Sequence, residues 1–227
     1  MDLLYPPVCP FCGEISGEGI CGTCREKVIY IEEPRCMKCG KPLETEEEEY
    51  CGDCKRHPLS YTQGRSLWVH KDQVKRAVYQ FKYHNKRRYG EVFAGELAKR
   101  FGPQIDRWEI EEILPVPLHP SRRRQRGFNQ AEILAKELGK RTQIPVSTDV
   151  LFRVRKTRAQ KVLNDSERAK NLKGAFGVAK SWKAKRNVLL VDDIYTTGNT
   201  IHRAGKVLKK AGVENVYFLT ISIGQGL

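Results

Sequence analysis

The chain has 227 residues, of which 40% are apolar and 30% are charged, so it can bury the core of one domain and carry a small additional module. No apolar stretch approaches the ~20 residues that a membrane span needs. The N-terminal MDLLYPPVCP lacks the basic start and long apolar run of a signal peptide. We therefore expect a cytoplasmic protein without a membrane span, and we exclude collagenous and wholly disordered proteins.

The net charge of +14 is distributed unevenly along the chain. Residues 1–60 contain 7 Lys and Arg against 12 Asp and Glu, a net charge of −5, whereas residues 61–227 contain 34 against 15, a net charge of +19. A cationic body of this kind is typical of proteins that bind polyphosphates or nucleic acids. A basic surface that serves solubility alone is the alternative.

All eight cysteines lie in four Cys-x-x-Cys pairs near the N-terminus. Two such turns complete the tetrahedral thiolate site that zinc prefers, whereas disulfides need an oxidising compartment and a redox pair is expected singly. We predict two structural zinc sites in a ribbon module, residues 1–60, with an iron–sulfur site as the alternative. Sequential pairing of the motifs is the simplest arrangement, although the spacing leaves the pairing open. The pairs are Cys9/Cys12, Cys21/Cys24, Cys36/Cys39 and Cys51/Cys54.

Hydrophobic periodicity predicts alternating strands and helices in the basic body, residues 61–227. The strands are apolar through their length, which is typical of a parallel sheet covered on both faces. The predicted elements are, in chain order, a strand over 65–70, a helix through Val74, Ala77, Val78 and Phe81, a helix over 89–101 ended by Gly102-Pro103, a strand over 110–116, a loop over 119–130, a helix through Ile133, Leu134 and Leu138, a helix near 165–173, a strand over 187–193, a helix over 200–211 capped by Gly212, and a strand over 215–223.

The segment VLLVDDIYTTGNT, residues 188–200, joins an apolar strand, two acids, a short turn and a helix start. Ligands of open parallel sheets bind beyond the carboxyl ends of the strands. The turn 196–200 offers free N–H groups and threonine hydroxyls to an anion at a helix N-terminus. Asp192 and Asp193 can accept hydrogen bonds from sugar hydroxyls or hold Mg²⁺. We therefore expect a phosphate at the turn and a ribose at the acids.

This segment resembles the phosphoribosyl pyrophosphate (PRPP) motif of type I phosphoribosyltransferases. Together with PVPLHPSRRRQRGFNQAEILA, residues 115–135, and the cysteine pairs, it is similar to the ComF (ComFC) family of bacterial competence proteins. The resemblance implies an α/β fold, a type I phosphoribosyltransferase-like parallel sheet flanked by helices, preceded by a zinc ribbon and binding PRPP with Mg²⁺. The implied PRPP residues are the catalytic, ribose-contacting Asp192 and Asp193, the phosphate-binding Thr196, Thr197, Gly198, Asn199 and Thr200, and Leu118 and His119 beside the pyrophosphate.

Three further basic clusters accompany this motif. Arginines can clamp pyrophosphate or line the path of a nucleic-acid backbone, and a solvated basic loop is the alternative. Residues 83–89 (YHNKRRY) interleave aromatic and basic side chains, as single-stranded nucleic-acid sites do. Residues 153–161 fall where related transferases place a loop that closes over PRPP, although a DNA-contact loop would have the same composition. The candidate pyrophosphate or nucleic-acid contacts are Arg122, Arg123, Arg124, Arg126, Arg155, Lys156 and Arg158.

The family resemblance implies a role in natural competence, handling internalised single-stranded DNA during transformation beside a helicase-like competence protein. The alternative is an active phosphoribosyltransferase of nucleotide salvage or biosynthesis, in which a base or amine displaces pyrophosphate from PRPP. The charge of the body favours the DNA role, because a small-molecule enzyme does not need a net charge of +19. The sequence does not identify the site for an acceptor base.

Overall fold

A computed structural model describes residues 6–17, 19–154 and 175–224. Strands alternate with helices along the body, as the periodicity predicts. The described elements are α1 (Gly22–Lys27), α2 (Gly52–Arg56), β1 (Gln63–Val69), α3 (Asp72–Tyr83), α4 (Tyr89–Arg107), β2 (Glu112–Pro115), α5 (Pro120–Arg126), α6 (Gln130–Thr142), β3 (Leu151–Arg153), β4 (Phe176–Val178), β5 (Asn187–Tyr195), α7 (Asn199–Lys210) and β6 (Asn215–Ile223).

A parallel sheet of four described strands, ordered β1-β6-β5-β2, forms the centre of the body. Alternate residues of β5 enter two different hydrophobic clusters, because successive side chains of a strand point to opposite faces. Leu189 and Val191 pack with residues of α3, α4 and α6, whereas Val188 and Leu190 pack with residues of α7. The sheet is therefore covered on both faces, which confirms the predicted fold class.

The zinc ribbon shares these clusters with the body. Cys9 and Cys24 belong to the same buried cluster as Trp68 and Phe93. Cys36, Cys39 and Cys51 belong to the cluster on the other face of the sheet. The N-terminal module therefore contributes to the core on both sides of the sheet.

A buried carboxylate joins the ribbon to α4. Arg25 of α1 donates two hydrogen bonds to Glu96, at 2.8 and 2.9 Å, and the Tyr30 hydroxyl donates a third at 2.8 Å. Glu96 is 8% exposed. A buried carboxylate is tolerated only when it is paired and hydrogen-bonded, so Glu96 depends on the ribbon for its partners.

One predicted helix end and one predicted loop are wrong. The helix expected to end at Gly102-Pro103 continues to Arg107, because Ile105 and Trp108 extend its apolar face into the core and offset the hydrogen bond that Pro103 removes. The predicted loop over 119–130 contains the helix α5. Pro120 occupies the first helical position of α5, which is a recognised helix signal, and the His119 side chain caps the helix.

The other predicted elements of the described body are present within a few residues of the predicted bounds, and β6 spans the predicted residues. The antiparallel pair of three-residue strands β3 and β4 was not predicted, because such short strands leave no periodic signal. The helix predicted near 165–173 lies outside the described residues. None of the helices in the described part of the chain has the length and hydropathy of a membrane-spanning segment.

The Glu96 contacts predict a measurable contribution to stability. In the zinc-replete protein, Glu96→Gln should lower the free energy of unfolding by about 2 kcal/mol, because it leaves the Arg25 charge without its carboxylate. Urea unfolding measures this. The matched control is Glu214→Gln, whose ion pair with Arg186 is two-thirds exposed and should contribute less than about 1 kcal/mol. Equal effects of the two substitutions would contradict the assignment.

Candidate functional site

The eight cysteines form two compact clusters, and within each cluster the four sulfur atoms lie within 4.8 Å of one another. The Sγ atoms of Cys12 and Cys21 are 3.7 Å apart, and those of Cys39 and Cys51 are 3.6 Å apart. Four thiolates at about 2.3 Å from a zinc ion are ~3.8 Å from one another, so the donor set fits zinc. The clusters are Cys9, Cys12, Cys21 and Cys24, and Cys36, Cys39, Cys51 and Cys54.

The four motifs are therefore paired sequentially, the first with the second and the third with the fourth. Gly13 and Gly40 directly follow the second cysteine of their motifs and have φ values of 84° and 74°. A side chain disfavours this left-handed conformation, so glycine permits the tight turn that brings each pair of sulfurs together. Each cluster is a structural zinc site of the ribbon.

Asp192 and Asp193 lie near the carboxyl end of β5 and line a cavity of about 830 Å³. The Asp193 N–H donates a hydrogen bond of 2.8 Å to Asp192 Oδ1. Burial, and then the charge of the Asp193 carboxylate, raise the pKa of Asp192 to about 7. The two acids are thus held side by side in a place that favours cations and hydrogen-bond donors.

Lys82 of α3 balances this negative charge. Its Nζ lies 2.8 Å from Asp193 Oδ1, and both side chains are less than one-fifth exposed. Arg153, at the end of β3, also lines the cavity, and burial lowers the pKa of its guanidinium to about 10. Cations from two separate elements therefore converge on the acids near the carboxyl end of β5.

The turn after β5 leads directly into α7. Gly198 has a φ of 75° and precedes the first residue of that 12-residue helix. A Cβ atom at Gly198 would lie 2.4 Å from the Tyr195 hydroxyl, so only glycine fits. Thr196 and Thr200 line the cavity beside the acids, and the Asn199 side chain donates to Thr197 Oγ1 at 3.0 Å. The arrangement offers hydroxyl and N–H donors to an anion.

A pair of tyrosines connects this turn to the second zinc cluster. The hydroxyl oxygens of Tyr61 and Tyr195 are 2.6 Å apart, and both rings are buried in the cluster that contains Cys36, Cys39 and Cys51. The ring of Tyr195 also stacks on Phe218 with centroids 4.9 Å apart. The ribbon therefore packs against the residues that shape the candidate anion site.

The loop and helix after β2 contribute the far wall of the cavity. Of the candidates in this region, Leu118, Arg122 and Arg126 line the cavity. The Arg126 guanidinium donates to Gln130 at 2.7 Å and lies 4.6 Å from the ring centroid of Tyr83. Within the described part of the chain, three guanidinium groups, including that of Arg153, thus face the cavity that contains the acids.

Other candidates do not line this cavity. The His119 ring accepts a hydrogen bond from the Ser121 N–H and caps α5, and Arg123 forms an ion pair of 3.0 Å with Glu132. Arg124 is exposed on α5.

Thr197, Gly198 and Asn199 shape the turn without lining the described cavity wall. Three candidates, Arg155, Lys156 and Arg158, lie outside the described residues.

Sequence reasoning did not single out Lys82 as a site residue. It precedes the aromatic and basic stretch 83–89, and nothing in its neighbourhood along the chain indicates a carboxylate partner more than one hundred residues away. Within that stretch, Tyr83 and Asn85 line the cavity, whereas Tyr89 is buried in the core. Phe128 is also buried, against Phe81, and does not offer an exposed stacking face.

Two family models match the chain, a double zinc ribbon domain over residues 1–55 and a phosphoribosyl transferase domain over residues 124–222. Competence protein F of Haemophilus influenzae is 31% identical over 207 residues, which cover 89% of each chain. The chain belongs to the ComF family of competence proteins. Competence protein ComFC of Bacillus subtilis is 28% identical over 86% of this ComF-family chain and 80% of its own. DNA utilization protein YhgH of Escherichia coli K12 is 26% identical over 94% of this chain and 96% of its own.

Two solved structures overlap part of this ComF-family chain. The B. subtilis glutamine PRPP amidotransferase complexed with ADP and GMP has a TM-score of 0.40 at 16% identity, over 63% of this chain and 30% of its own. A Staphylococcus aureus hypoxanthine phosphoribosyltransferase has a TM-score of 0.37 at 15% identity, over 57% of this chain and 62% of its own. The family models and curated relatives carry the assignment: the chain is a competence-related, phosphoribosyltransferase-like protein with a double zinc ribbon.

The raised pKa of Asp192 predicts a pH-dependent stability. Because the folded pKa of about 7 exceeds the unfolded value of ~3.9, this group lowers stability progressively as the pH rises from about 4 to about 7. Asp192→Asn removes that loss. The stability of the variant relative to the parent protein should therefore increase by on the order of 2 kcal/mol between about pH 5.5 and about pH 8.5.

Urea unfolding of both proteins at the two pH values measures this difference. Asp106→Asn, at an exposed position of α4 outside the cavity, is the control for the removal of one carboxyl group. A difference for Asp192→Asn that does not change with pH would show that its carboxyl titrates at an ordinary pKa.

Proposed function

We propose that this ComF-family protein binds PRPP with Mg²⁺ at the carboxyl end of β5 and handles single-stranded DNA during transformation. The observation that supports PRPP most strongly is one cavity lined by both Asp192 and Asp193 and by Thr196 and Thr200 of the turn that leads into α7. A phosphorylated ribose needs these two kinds of group next to each other. The zinc ribbon, residues 1–60, serves as a platform for the phosphoribosyltransferase-like body, residues 61–227.

In the proposed complex, the turn 196–200 binds the 5′-phosphate through its hydroxyls, its N–H groups and the positive end of α7. Asp192 and Asp193 accept hydrogen bonds from the ribose hydroxyls. Arg122, Arg126 and Arg153 face the same cavity and pair with the pyrophosphate. Leu118 lies beside the pyrophosphate, and His119 holds the start of α5 in place.

Magnesium fits this arrangement. Mg²⁺ prefers oxygen ligands and is usually held by one or two carboxylates together with substrate phosphates and water. The two carboxylates that line the cavity provide such a donor set. The ion would neutralise phosphate charge and orient the pyrophosphate, while the chain holds the ribose and the 5′-phosphate.

The DNA role is supported by the relatives named for competence and DNA utilization and by the +19 charge of the body. We further propose that the protein acts in the cytoplasm, where thiols stay reduced and can hold zinc, beside a helicase-like competence protein. Arg123, Arg124 and the cluster Arg155, Lys156 and Arg158 remain candidates for contacts with the DNA backbone or with pyrophosphate.

Calorimetric titration with PRPP and Mg²⁺ tests the sugar-phosphate site. The zinc-replete protein should bind saturably, and the double variant Asp192→Asn/Asp193→Asn should lose at least about tenfold in affinity, because hydrogen bonds to charged groups contribute about 1.5–3 kcal/mol each. Asp106→Asn is the matched control and should bind as the parent protein does. Absence of PRPP binding, or equal binding by all three proteins, would overturn the proposed site.

Salt dependence tests DNA binding separately. The logarithm of the affinity for a single-stranded oligonucleotide should fall linearly with the logarithm of salt concentration, by about 0.7 for each phosphate neutralised. Fluorescence anisotropy between about 50 and about 200 mM salt measures the slope. A flat response, or no binding at low salt, would contradict the DNA role and leave PRPP binding untouched.

A further inference from the structure

The exposed face of α3 carries two tyrosines that the core does not use. The helix buries Val74, Ala77, Val78 and Phe81 on its inner face. Tyr79 and Tyr83, four residues apart, are 48% and 52% exposed on the other side. Two large aromatic side chains with this much exposure next to each other are available to a ligand.

These tyrosines form a small aromatic platform. Their ring centroids are 4.8 Å apart with an interplanar angle of 43°, and the His84 ring lies 5.6 Å from that of Tyr79. Arg126 of α5 places its guanidinium 4.6 Å from the centroid of Tyr83. The rings are therefore held in place by neighbours while one side of the platform remains open to solvent.

Basic side chains surround the platform. Lys75, Tyr79 and Tyr83 follow one another at four-residue spacing, so they lie on one ridge of the helix with about 6 Å between successive positions, and Lys71 directly precedes the helix. Together with Arg76 they line a groove of about 820 Å³, the tyrosine groove. Asp72 is the one carboxylate among its described lining residues. The groove thus offers cations at one end of α3 and aromatic rings at the other, which suits a ligand that carries both phosphates and bases.

The tyrosine groove adjoins the proposed PRPP cavity. The two share His70, Lys75, Lys82, Tyr83 and Ile194 as lining residues. Lys82 is also the residue that pairs with Asp193. A ligand in the groove would therefore lie directly beside the ribose-binding acids.

We propose that the tyrosine groove is the site that holds single-stranded DNA, with bases stacked on Tyr79 and Tyr83 and phosphates paired with Lys71, Lys75 and Arg76. This inference rests on the proposed DNA role and assigns its location. The groove exceeds what a single free base would fill, and a free base would have no use for three cations. The position of the groove brings the strand to the side of the cavity where the ribose is expected.

Binding of a short single-stranded oligonucleotide to Tyr79→Ala and Tyr83→Ala tests the location. Each substitution should weaken binding by roughly 5- to 140-fold, the range expected for loss of one stacked base. Tyr79→Phe keeps the ring and should retain the affinity of the parent protein. Tyr50→Ala, which removes a 41% exposed tyrosine from the ribbon, is the matched control and should leave affinity unchanged.

A second readout reports stacking itself. An oligonucleotide containing the fluorescent base 2-aminopurine should be quenched on binding to the parent protein and less so on binding to Tyr79→Ala. PRPP binding by Tyr79→Ala should stay intact, since Tyr79 is not among the described residues that line that cavity. DNA binding that is unaffected by both alanine substitutions overturns the groove assignment alone. Absence of DNA binding by the parent protein overturns the proposed function as well.

Discussion

The ion pair between Lys82 and Asp193 joins α3 to the carboxyl end of β5, and the arrangement of the whole site depends on it. Two adjacent carboxylates at the end of a buried strand repel each other and lose hydration, so they require cations nearby. Lys82 lies on α3, which precedes β2 in the chain, and Arg153 lies at the end of β3 in the small antiparallel pair. Elements that are distant in sequence must therefore meet at one place, where they leave a cavity suited to a ribose phosphate.

The zinc ribbon is part of the same construction. Its second cluster packs on Tyr61 and Tyr195, and Tyr195 precedes the turn whose Gly198 leaves no room for a side chain. Its first cluster supplies Arg25 to the buried Glu96. Because structural zinc sites fold with their metal, loss of zinc would remove support from both the core and the turn 196–200. This gives a physical reason for a metal module to accompany the proposed sugar-phosphate site in one chain.

Much of this arrangement could be predicted from sequence because it is local. The strand β6, the helix α7 and the segment 188–200 follow from apolar runs, a helical period and a glycine turn. The extent of α4 beyond Pro103 could not be predicted, since the buried faces of Ile105 and Trp108 outweigh a local helix breaker. The role of Lys82 could not be predicted either, because its partner Asp193 is brought close only by the fold.

The tyrosine groove places a second proposed ligand next to the proposed PRPP cavity. If DNA lies along α3 and PRPP lies at β5, then Lys82 stands between the two ligands, and the binding of one affects the charge balance of the other. Thermodynamic coupling between two such sites is reciprocal. The protein would then act as a junction of a nucleic-acid surface and a nucleotide-precursor site, built on one helix and one strand end.

The most direct measurement is a crystal structure of the zinc-replete protein with PRPP and Mg²⁺. We expect the 5′-phosphate at residues 196–200, the ribose hydroxyls on Asp192 and Asp193, and the pyrophosphate toward Arg122, Arg126 and Arg153. PRPP bound elsewhere, or bound with its ribose away from the two acids, would contradict the proposed site.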